Sequence, residues 1–204
     1  MQIIQCILFI TMATTEEIKA LRDETGVSVM QCKKALEEAG GDVEKAKVIL
    51  RKHSAAIASK KADRELGAGI CAAYTHAGGQ VLAAVVLACE TDFVSKNEDF
   101  GALARDIAMH IAAMKPQFIA RENVKESDIA KAREVFESEA ANIAESVRAK
   151  AVEGKLDAFL KEKILLEQPF VKDGSIAIRD LISSAVQKFG EKIEVVRFER
   201  LTVK

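Results

Sequence analysis

The sequence predicts an α+β protein in which a group of helices precedes a small antiparallel sheet. Residues 14–62 carry apolar side chains at helical spacing, in three stretches that each begin with a capping residue. Residues 69–76 and 80–89 have the composition of two strands, and Ala77-Gly78-Gly79 between them is typical of a hairpin turn. Helical spacing then returns, and residues 192–203 have the β-branched composition of a last strand.

Capping residues define the three N-terminal helices. Thr14 followed by Glu17 predicts a capping box at the start of the first helix, and Gly26 predicts its end. Ser28 predicts the start of the second helix, and Asp42, which follows two glycines, predicts the start of the third. Such a short bundle is marginal as an independent domain, because small domains bury little of their surface.

The corner after the second strand is the most informative stretch of the chain. The apolar run ends at Glu90, and Ser95 with Glu98 predicts a capping box, so residues 91–94 are expected on a tight turn from strand to helix. From the residues alone, Phe93 is expected to pack beneath that helix, since a buried Phe gains about 1.5–3 kcal/mol. Presentation of the ring to a partner is the alternative.

Helical spacing predicts four further helices. The first runs from Ser95 to Met114 and is stopped by Pro116, which lacks a backbone donor. Two helices at about 127–150 and 152–166 are expected to form a helical hairpin, the former with the stripe Ile129, Ala132, Phe136, Ala140, Ile143 and Val147. A last helix at about 177–189 is closed by Gly190.

Charge and cysteine content argue against several functions. The chain has 30 Lys and Arg against 31 Asp and Glu, and a net charge of −1 disfavours direct binding of nucleic acid. The four cysteines are far apart, which fits neither a disulfide framework nor a zinc site. A nucleophile formed by Cys89 with His53 or His76 is a third-ranked alternative, because no local signature supports it.

The N-terminal end differs from the rest of the chain. Residues 1–11 are apolar and carry no charge, they lack the basic region of a secretory signal, and they are too short to span a membrane. We interpret residues 1–13 as an N-terminal extension, disordered or artefactual, with Met12 as the more natural start.

Several segments resemble the elongation factor Ts family, the bacterial and organellar guanine-nucleotide exchange factors for elongation factor Tu. The segment from Leu21 to Leu36 is similar to the family's N-terminal signature, and the segment from Leu87 to Asn97 is similar to its Thr-Asp-Phe-Val motif. Two further blocks, Tyr74 to Gly79 and Leu165 to Asp173, extend the resemblance over most of the chain.

The resemblance implies a domain organisation. Residues 14–62 would form a ubiquitin-associated-like three-helix bundle, and residues 63–204 an α+β core with a small antiparallel sheet and a helical hairpin. The chain is similar to the short members with one core module, some of which act as homodimers. The partner would be elongation factor Tu, GDP-bound or nucleotide-free, in the bacterial cytoplasm or an organelle.

The resemblance also implies a mechanism. The protein would promote GDP release by disturbing the partner's magnesium and phosphate site. It would need no cofactor or metal of its own, would be no enzyme, and would bind neither nucleic acid nor membrane. The implied contact residues are Thr91, Asp92, Phe93 and Val94 at the corner and Leu21, Arg22, Val29 and Met30 in the bundle.

Three points stay open at this level. For Leu21 and Val29, a place in the bundle core is about as well supported as a contact with the partner. Val86 and Ala88 replace the acid and the Asn usual in the family, which puts contacts of that strand in doubt. A helical adaptor that binds ubiquitin-like or other helical partners through the N-terminal bundle is the alternative from another functional class.

Overall fold

A computed structural model describes residues 13–142 and 144–203, and these form two compact units. The first unit comprises residues 13–65 with 182–192, and the second comprises the remaining described residues. The predicted α+β class is confirmed by the helices and the antiparallel sheet. The predicted domain boundaries stay a prediction, and the proposed N-terminal extension lies, except for Ala13, outside the described residues.

The elements follow one another as an all-helical stretch and then an alternation of strands and helices. The helices are α1 (Thr15–Thr25), α2 (Val29–Glu38), α3 (Val43–Lys60), α4 (Asp92–Ser95), α5 (Glu98–Met114), α6 (Glu126–Glu139), α7 (Glu145–Lys163) and α8 (Ile178–Phe189). The strands are β1 (Ala68–His76), β2 (Val81–Cys89), β3 (Pro169–Phe170), β4 (Asp173–Ala177) and β5 (Ile193–Thr202). In the part of the chain that the structure describes, no helix is long and apolar enough to cross a membrane.

The caps of the first unit are those that the sequence predicts. The backbone N–H of Thr14 donates to the Glu17 carboxylate at 2.8 Å, and the N–H of Glu17 donates back to the Thr14 hydroxyl at 3.2 Å. Asp42 caps α3 by accepting from the N–H of Lys45 at 3.0 Å. The bundle core beneath these helices consists of Leu21, Val27, Cys32, Ala35, Leu36, Ala46 and Leu50.

Most of α8 joins this unit, which local sequence patterns did not predict. The hydroxyl of Ser54 on α3 is hydrogen-bonded to the side chain of Gln187, and the ammonium of Lys61 donates to the carbonyl of Gly190 at 2.7 Å. Both contacts join residues more than 120 positions apart. Helical spacing reveals an apolar face but not the element that this face contacts.

A three-stranded antiparallel sheet organises the second unit, in the order β1-β2-β5. One face of the central strand β2 is buried, through Ala83, Val85, Leu87 and Cys89. The same face of β1 points at α5, since Ile70 pairs with Leu87 and its side chain lies 3.8 Å from the position of a Cβ on Gly101. The nearly continuous apolar sequence of β2 predicts a central strand that is covered on both faces, but its other face is only half-buried at Leu82, Ala84 and Val86, so that prediction is wrong.

The helical hairpin is present, but its turn lies earlier than predicted. Helix α6 ends at Glu139 and α7 begins at Glu145, within the stretch predicted as one helix at 127–150. Residues 140–144 contain neither Gly nor Pro, so no strong breaker marks this turn. The first half of the predicted stripe packs as expected: Ile129, Ala132 and Phe136 contact the cluster of Leu156, Leu160 and Ile164. Val147 is exposed, and Ile143 lies outside the described residues.

An ion-pair cluster joins the base of the hairpin to the segment that follows it. The guanidinium of Arg121 donates to both carboxylate oxygens of Glu167, at 2.5 and 2.8 Å, and to Asp157 at 2.5 Å. The Glu167 side chain is 8% exposed, and Arg179 lies 3.4 Å from it. Arg121 holds the pKa of Glu167 below its ordinary value, so that this largely buried carboxylate stays ionised and paired.

A buried histidine fastens the segment around β3 to α5. The N–H of Val171 donates to Nδ1 of His110 at 3.2 Å, which leaves the proton on Nε2 to be donated to the Gln168 side chain at 2.9 Å. The Gln168 amide donates in turn to the carbonyl of Glu162 at 2.6 Å. Burial lowers the pKa of His110, against a smaller raising effect of the Gln168 hydrogen bond.

We expect the stability of the protein to fall when this histidine gains a proton. The folded-state pKa of His110 lies below the unfolded value of about 6.5, so the stabilisation is complete above about pH 6.5 and is lost as the pH falls from there to the folded-state pKa. Urea unfolding of wild type between about pH 7.5 and 5 should show this loss, with a slope of at most about 1.4 kcal/mol per pH unit from this group.

Two variants isolate the contribution of the buried ring. His110→Gln should reduce the dependence of the free energy of unfolding on pH. His76→Gln, at the exposed end of β1, should retain the wild-type dependence. An unchanged slope in His110→Gln would show that another group causes the loss.

Candidate functional site

The corner after β2 is a single helical turn whose backbone is closely fixed. The N–H of Gly67 donates to the carbonyl of Cys89 at 3.1 Å, and a Cβ at Gly67 would lie 2.9 Å from the carbonyl oxygen of Glu90. Thr91 is extended and precedes α4, whose turn is closed by the N–H of Lys96 donating to the carbonyl of Asp92 at 3.1 Å. The close approach to Gly67 fixes where the turn begins.

Two neighbouring residues of this turn have opposite environments. Val94 is 3% exposed and lies in the core, whereas Phe93 is 81% exposed. Successive positions of a helix differ by about 100°, so burying Val94 directs the preceding side chain away from the core. The packing of Phe93 that the residues alone favoured is therefore wrong, and its presentation on the surface is confirmed.

Asp92, the neighbour of this ring, is held as an anion. Its carboxylate accepts from the ammonium of Lys96 at 2.5 Å, one turn further along, and both side chains are about three-quarters exposed. The hydrogen bond from Lys96, reinforced by its charge, lowers the pKa of Asp92. The sequence interpretation missed Lys96, although an Asp and a Lys four positions apart on a helix are a recognisable signal.

The predicted capping box at Ser95 needs correction. Ser95 is the last residue of α4, and its hydroxyl donates to the carbonyl of Asp92 at 3.1 Å. Asn97 caps α5 instead, because its side chain accepts from the N–H of Asp99 at 2.9 Å. The chain completes an extra turn before the long helix, and that turn carries Asp92 and Phe93.

Cys89 lies at the end of the hairpin that continues into the corner. Its thiol donates to the carbonyl of Thr91 at 3.2 Å. His76 lies at the opposite end of the hairpin, where it pairs with Val81, and its ring stacks on Tyr74. The structure therefore does not bring Cys89 and His76 together. Among the described residues, no cluster of three His, Cys, Asp or Glu is placed to hold a metal ion.

Of the four candidate contact residues in the N-terminal bundle, one is buried and three are exposed. Leu21 is 1% exposed, so its side chain belongs to the bundle core, one of the two interpretations that the sequence left open. Val29 and Met30, at the first turn of α2, are 51% and 75% exposed. Arg22 on α1 is also exposed and pairs with Asp23 at 3.5 Å. The surface of this unit therefore offers Arg22, Val29 and Met30.

The arrangement at the corner is suited to binding and not to covalent chemistry. A ring carried on a fixed turn requires little further ordering of the backbone, so its insertion into an apolar pocket costs less. The adjacent carboxylate can accept hydrogen bonds from, or compete with, a polar network at the edge of such a pocket.

Comparison with known proteins supports one family. A family model described as Elongation factor TS matches residues 56–204. Proteins named Elongation factor Ts from Carboxydothermus hydrogenoformans and Desulforamulus reducens are 47% and 48% identical to the chain over 191 and 185 residues. These alignments cover 93% and 90% of this chain and 88% and 85% of those proteins. One from Thermosipho melanesiensis is 45% identical over 194 residues, 94% of this chain and 99% of that protein.

Adjacent substitutions at the corner should have very different effects on stability. Phe93→Ala removes a side chain that contributes little to the core and should change the free energy of unfolding by less than about 0.5 kcal/mol. Val94→Ala removes buried methyl groups and leaves a cavity, and it should cost about 1.5–3 kcal/mol. Urea unfolding of both variants measures the difference, and a loss above about 1.5 kcal/mol for Phe93→Ala would contradict the exposed placement of the ring.

Proposed function

The chain belongs to the elongation factor Ts family, and we propose that it accelerates the release of GDP from elongation factor Tu so that GTP can bind. The observation that carries this proposal is the outward ring of Phe93, beside ionised Asp92, at the positions of the family's Thr-Asp-Phe-Val motif. The partner is elongation factor Tu in its GDP-bound and nucleotide-free forms.

The proposed mechanism acts on the magnesium and phosphate site of the partner. Phe93 enters an apolar pocket beside that site, and the Asp92 carboxylate perturbs the surrounding hydrogen bonds. Magnesium requires near-octahedral geometry, so a small displacement of its surroundings weakens its binding and that of the diphosphate. Thr91 sets the start of the turn and buried Val94 anchors it, and neither needs to touch the partner.

Exchange of this kind is linkage between two binding equilibria. The factor and the nucleotide each weaken the binding of the other, by the same factor in both directions. No covalent bond is made or broken, so the protein is no enzyme and needs no cofactor. Inserting one Phe supplies about 1.5–3 kcal/mol, which corresponds to about ten- to a hundredfold in an equilibrium.

A second contact from the N-terminal unit would add to this effect. Val29 and Met30 form an exposed apolar pair at the start of α2, and Arg22 adds a charge on the neighbouring helix. We assign these three residues to the contact surface of a ubiquitin-associated-like bundle. Leu21 supports that surface from within the core, because its side chain is buried.

A second copy of the chain is the proposed occupant of the open face of the sheet. This face lies on the side away from α5 and includes Cys71, Ala73, Thr75, Leu82, Ala84, Val86, Arg197, Glu199 and Leu201. The guanidinium of Arg197 and the carboxylate of Glu199 lie 3.0 Å apart, beside the apolar residues of this face. A two-fold axis brings the same patch of both copies together, so Arg197 of one copy can face Glu199 of the other.

The proposed setting is the bacterial cytoplasm, with an organelle as the alternative. A net charge of −1 favours a protein partner over nucleic acid. We also propose that the protein does not attach to a membrane.

Purified protein should accelerate the release of a fluorescent GDP analogue from elongation factor Tu, and Phe93→Ala should lose most of that acceleration. The expected loss is about ten- to a hundredfold, the contribution of one inserted Phe. Stopped-flow fluorescence with excess unlabelled GDP measures it.

Val147→Ala provides the matched control, since it also truncates an exposed apolar side chain of the second unit. It should retain the wild-type rate. A wild-type protein that leaves GDP release unchanged would contradict the proposed function and favour an adaptor.

Removing the contact made by the bundle should lower the affinity of the protein for elongation factor Tu. Val29→Ser combined with Met30→Ser removes two exposed apolar side chains and should raise the concentration for half-maximal exchange by about tenfold, with little effect on the maximal rate. Val48→Ser, at another exposed apolar position of the bundle, is the control. Equal effects of the control and the double substitution would argue against a localised contact.

The oligomeric state tests the open face of the sheet. Sedimentation equilibrium should show a dimer that dissociates on dilution. Val86→Arg should give a monomer, because it places a second cation beside Arg197 of the adjacent strand. A wild-type protein that is monomeric at every concentration would refute the dimer and leave the exchange proposal intact.

A further inference from the structure

We propose that Lys96 enters the interface with the partner together with Asp92, as the counter-charge that allows this carboxylate to be buried beside the Phe93 ring. This inference rests on the proposed function and adds a positioning residue to it. Lys96 acts through Asp92, and contact of its own with the partner is not required.

The geometry places both charges and the ring on the same turn. The ammonium of Lys96 lies 2.5 Å from Oδ2 of Asp92. Lys96 is also the C-terminal cap of α4, and its backbone N–H closes the turn on the carbonyl of Asp92. The ion pair therefore spans the turn that carries Phe93, and it accompanies the ring wherever the ring docks.

The ion pair between Asp92 and Lys96 contributes too little to the stability of the free protein to explain its presence. Ion pairs between exposed side chains typically contribute little or nothing to the stability of a protein. Both side chains are about three-quarters exposed, and each remains well hydrated without the other. The turn is instead held by the burial of Val94 and by its backbone hydrogen bonds.

Docking changes the environment of the pair. Insertion of an 81% exposed ring into a pocket removes water from the residues on either side of it, and Asp92 is directly adjacent. An unpaired carboxylate that is desolvated in this way incurs a large free-energy penalty, whereas a paired one enters with its charge compensated. Lys96 thus becomes important at the interface although it contributes little before docking.

Four variants and a thermodynamic cycle test this role. The second-order rate constant for release of a fluorescent GDP analogue is measured for wild type, Lys96→Ala, Lys96→Arg, Asp92→Asn and the double variant Asp92→Asn with Lys96→Ala. Lys161→Ala is the matched control, since Lys161 is an exposed lysine that pairs at 2.8 Å with an aspartate four positions away. Circular dichroism and urea unfolding verify that each variant is folded.

The expected pattern is specific to action through Asp92. Lys96→Ala should lower the rate constant by about tenfold or more, because truncating one member of a desolvated charge pair strands the other. Lys96→Arg should stay close to wild type. In the Asp92→Asn background, removal of Lys96 should cause no further loss, because no carboxylate remains to be compensated.

Three results would overturn the inference. These are a Lys96→Ala rate within about twofold of wild type, a loss in Lys161→Ala as large as in Lys96→Ala, or effects that multiply in the double variant. Multiplicative effects would show that Lys96 contacts the partner independently. Absence of exchange by the wild-type protein is a separate outcome, which refutes the proposed function itself.

Discussion

Burial of the Val94 side chain is the interaction on which the proposed site depends. A helix of four residues has too few hydrogen bonds to persist alone, because the first turn fixes several residues for a single bond. Val94 connects this turn to the core, and the backbone at Thr91 and Lys96 closes it. The same burial directs Phe93 into solvent, so the anchor and the exposed ring are two consequences of one helical turn.

The sheet and α5 determine where this anchored turn stands. Strand β2 is central in the sheet, and its buried face packs beneath α5, whose Phe100, Ile107 and Ile111 are fully buried. The turn joins these two elements directly, so both of its ends belong to the most deeply packed part of the unit. The open face of the sheet and the surface of the bundle are separate features, and each contributes to the proposal by itself.

The sequence predicts those features that local chemistry determines. The cap at Thr14, the stop at Gly26, the hairpin and the last strand are all where the residues indicate. The extra turn before α5 was missed because Ser95 and Asn97 are both good caps, and only burial of Val94 selects between them. Residues alone also favoured burial of Phe93, since its hydrophobicity carries no information about which neighbour lies inside.

Contacts between distant parts of the chain could not be predicted. The sequence between the end of α6 and the start of α7 has no Gly or Pro that would mark the break. The attachment of α8 to the first unit depends on a contact between Ser54 and Gln187, which are too far apart in the sequence for any local pattern to relate them. The Thr-Asp-Phe-Val corner was identified by resemblance, and the structure supplies the physical reason for its composition: one residue anchors, its neighbour is exposed, and the acid is held ionised by Lys96.

The environment of the ring at position 93 in the complex tests the central claim most directly. A para-fluorophenylalanine at this position gives one fluorine NMR resonance whose solvent isotope shift reports exposure to water. A large isotope shift is expected in the free protein, and its loss is expected when nucleotide-free elongation factor Tu is added. A resonance that keeps its solvent isotope shift in a saturated complex would contradict insertion of Phe93 into the partner.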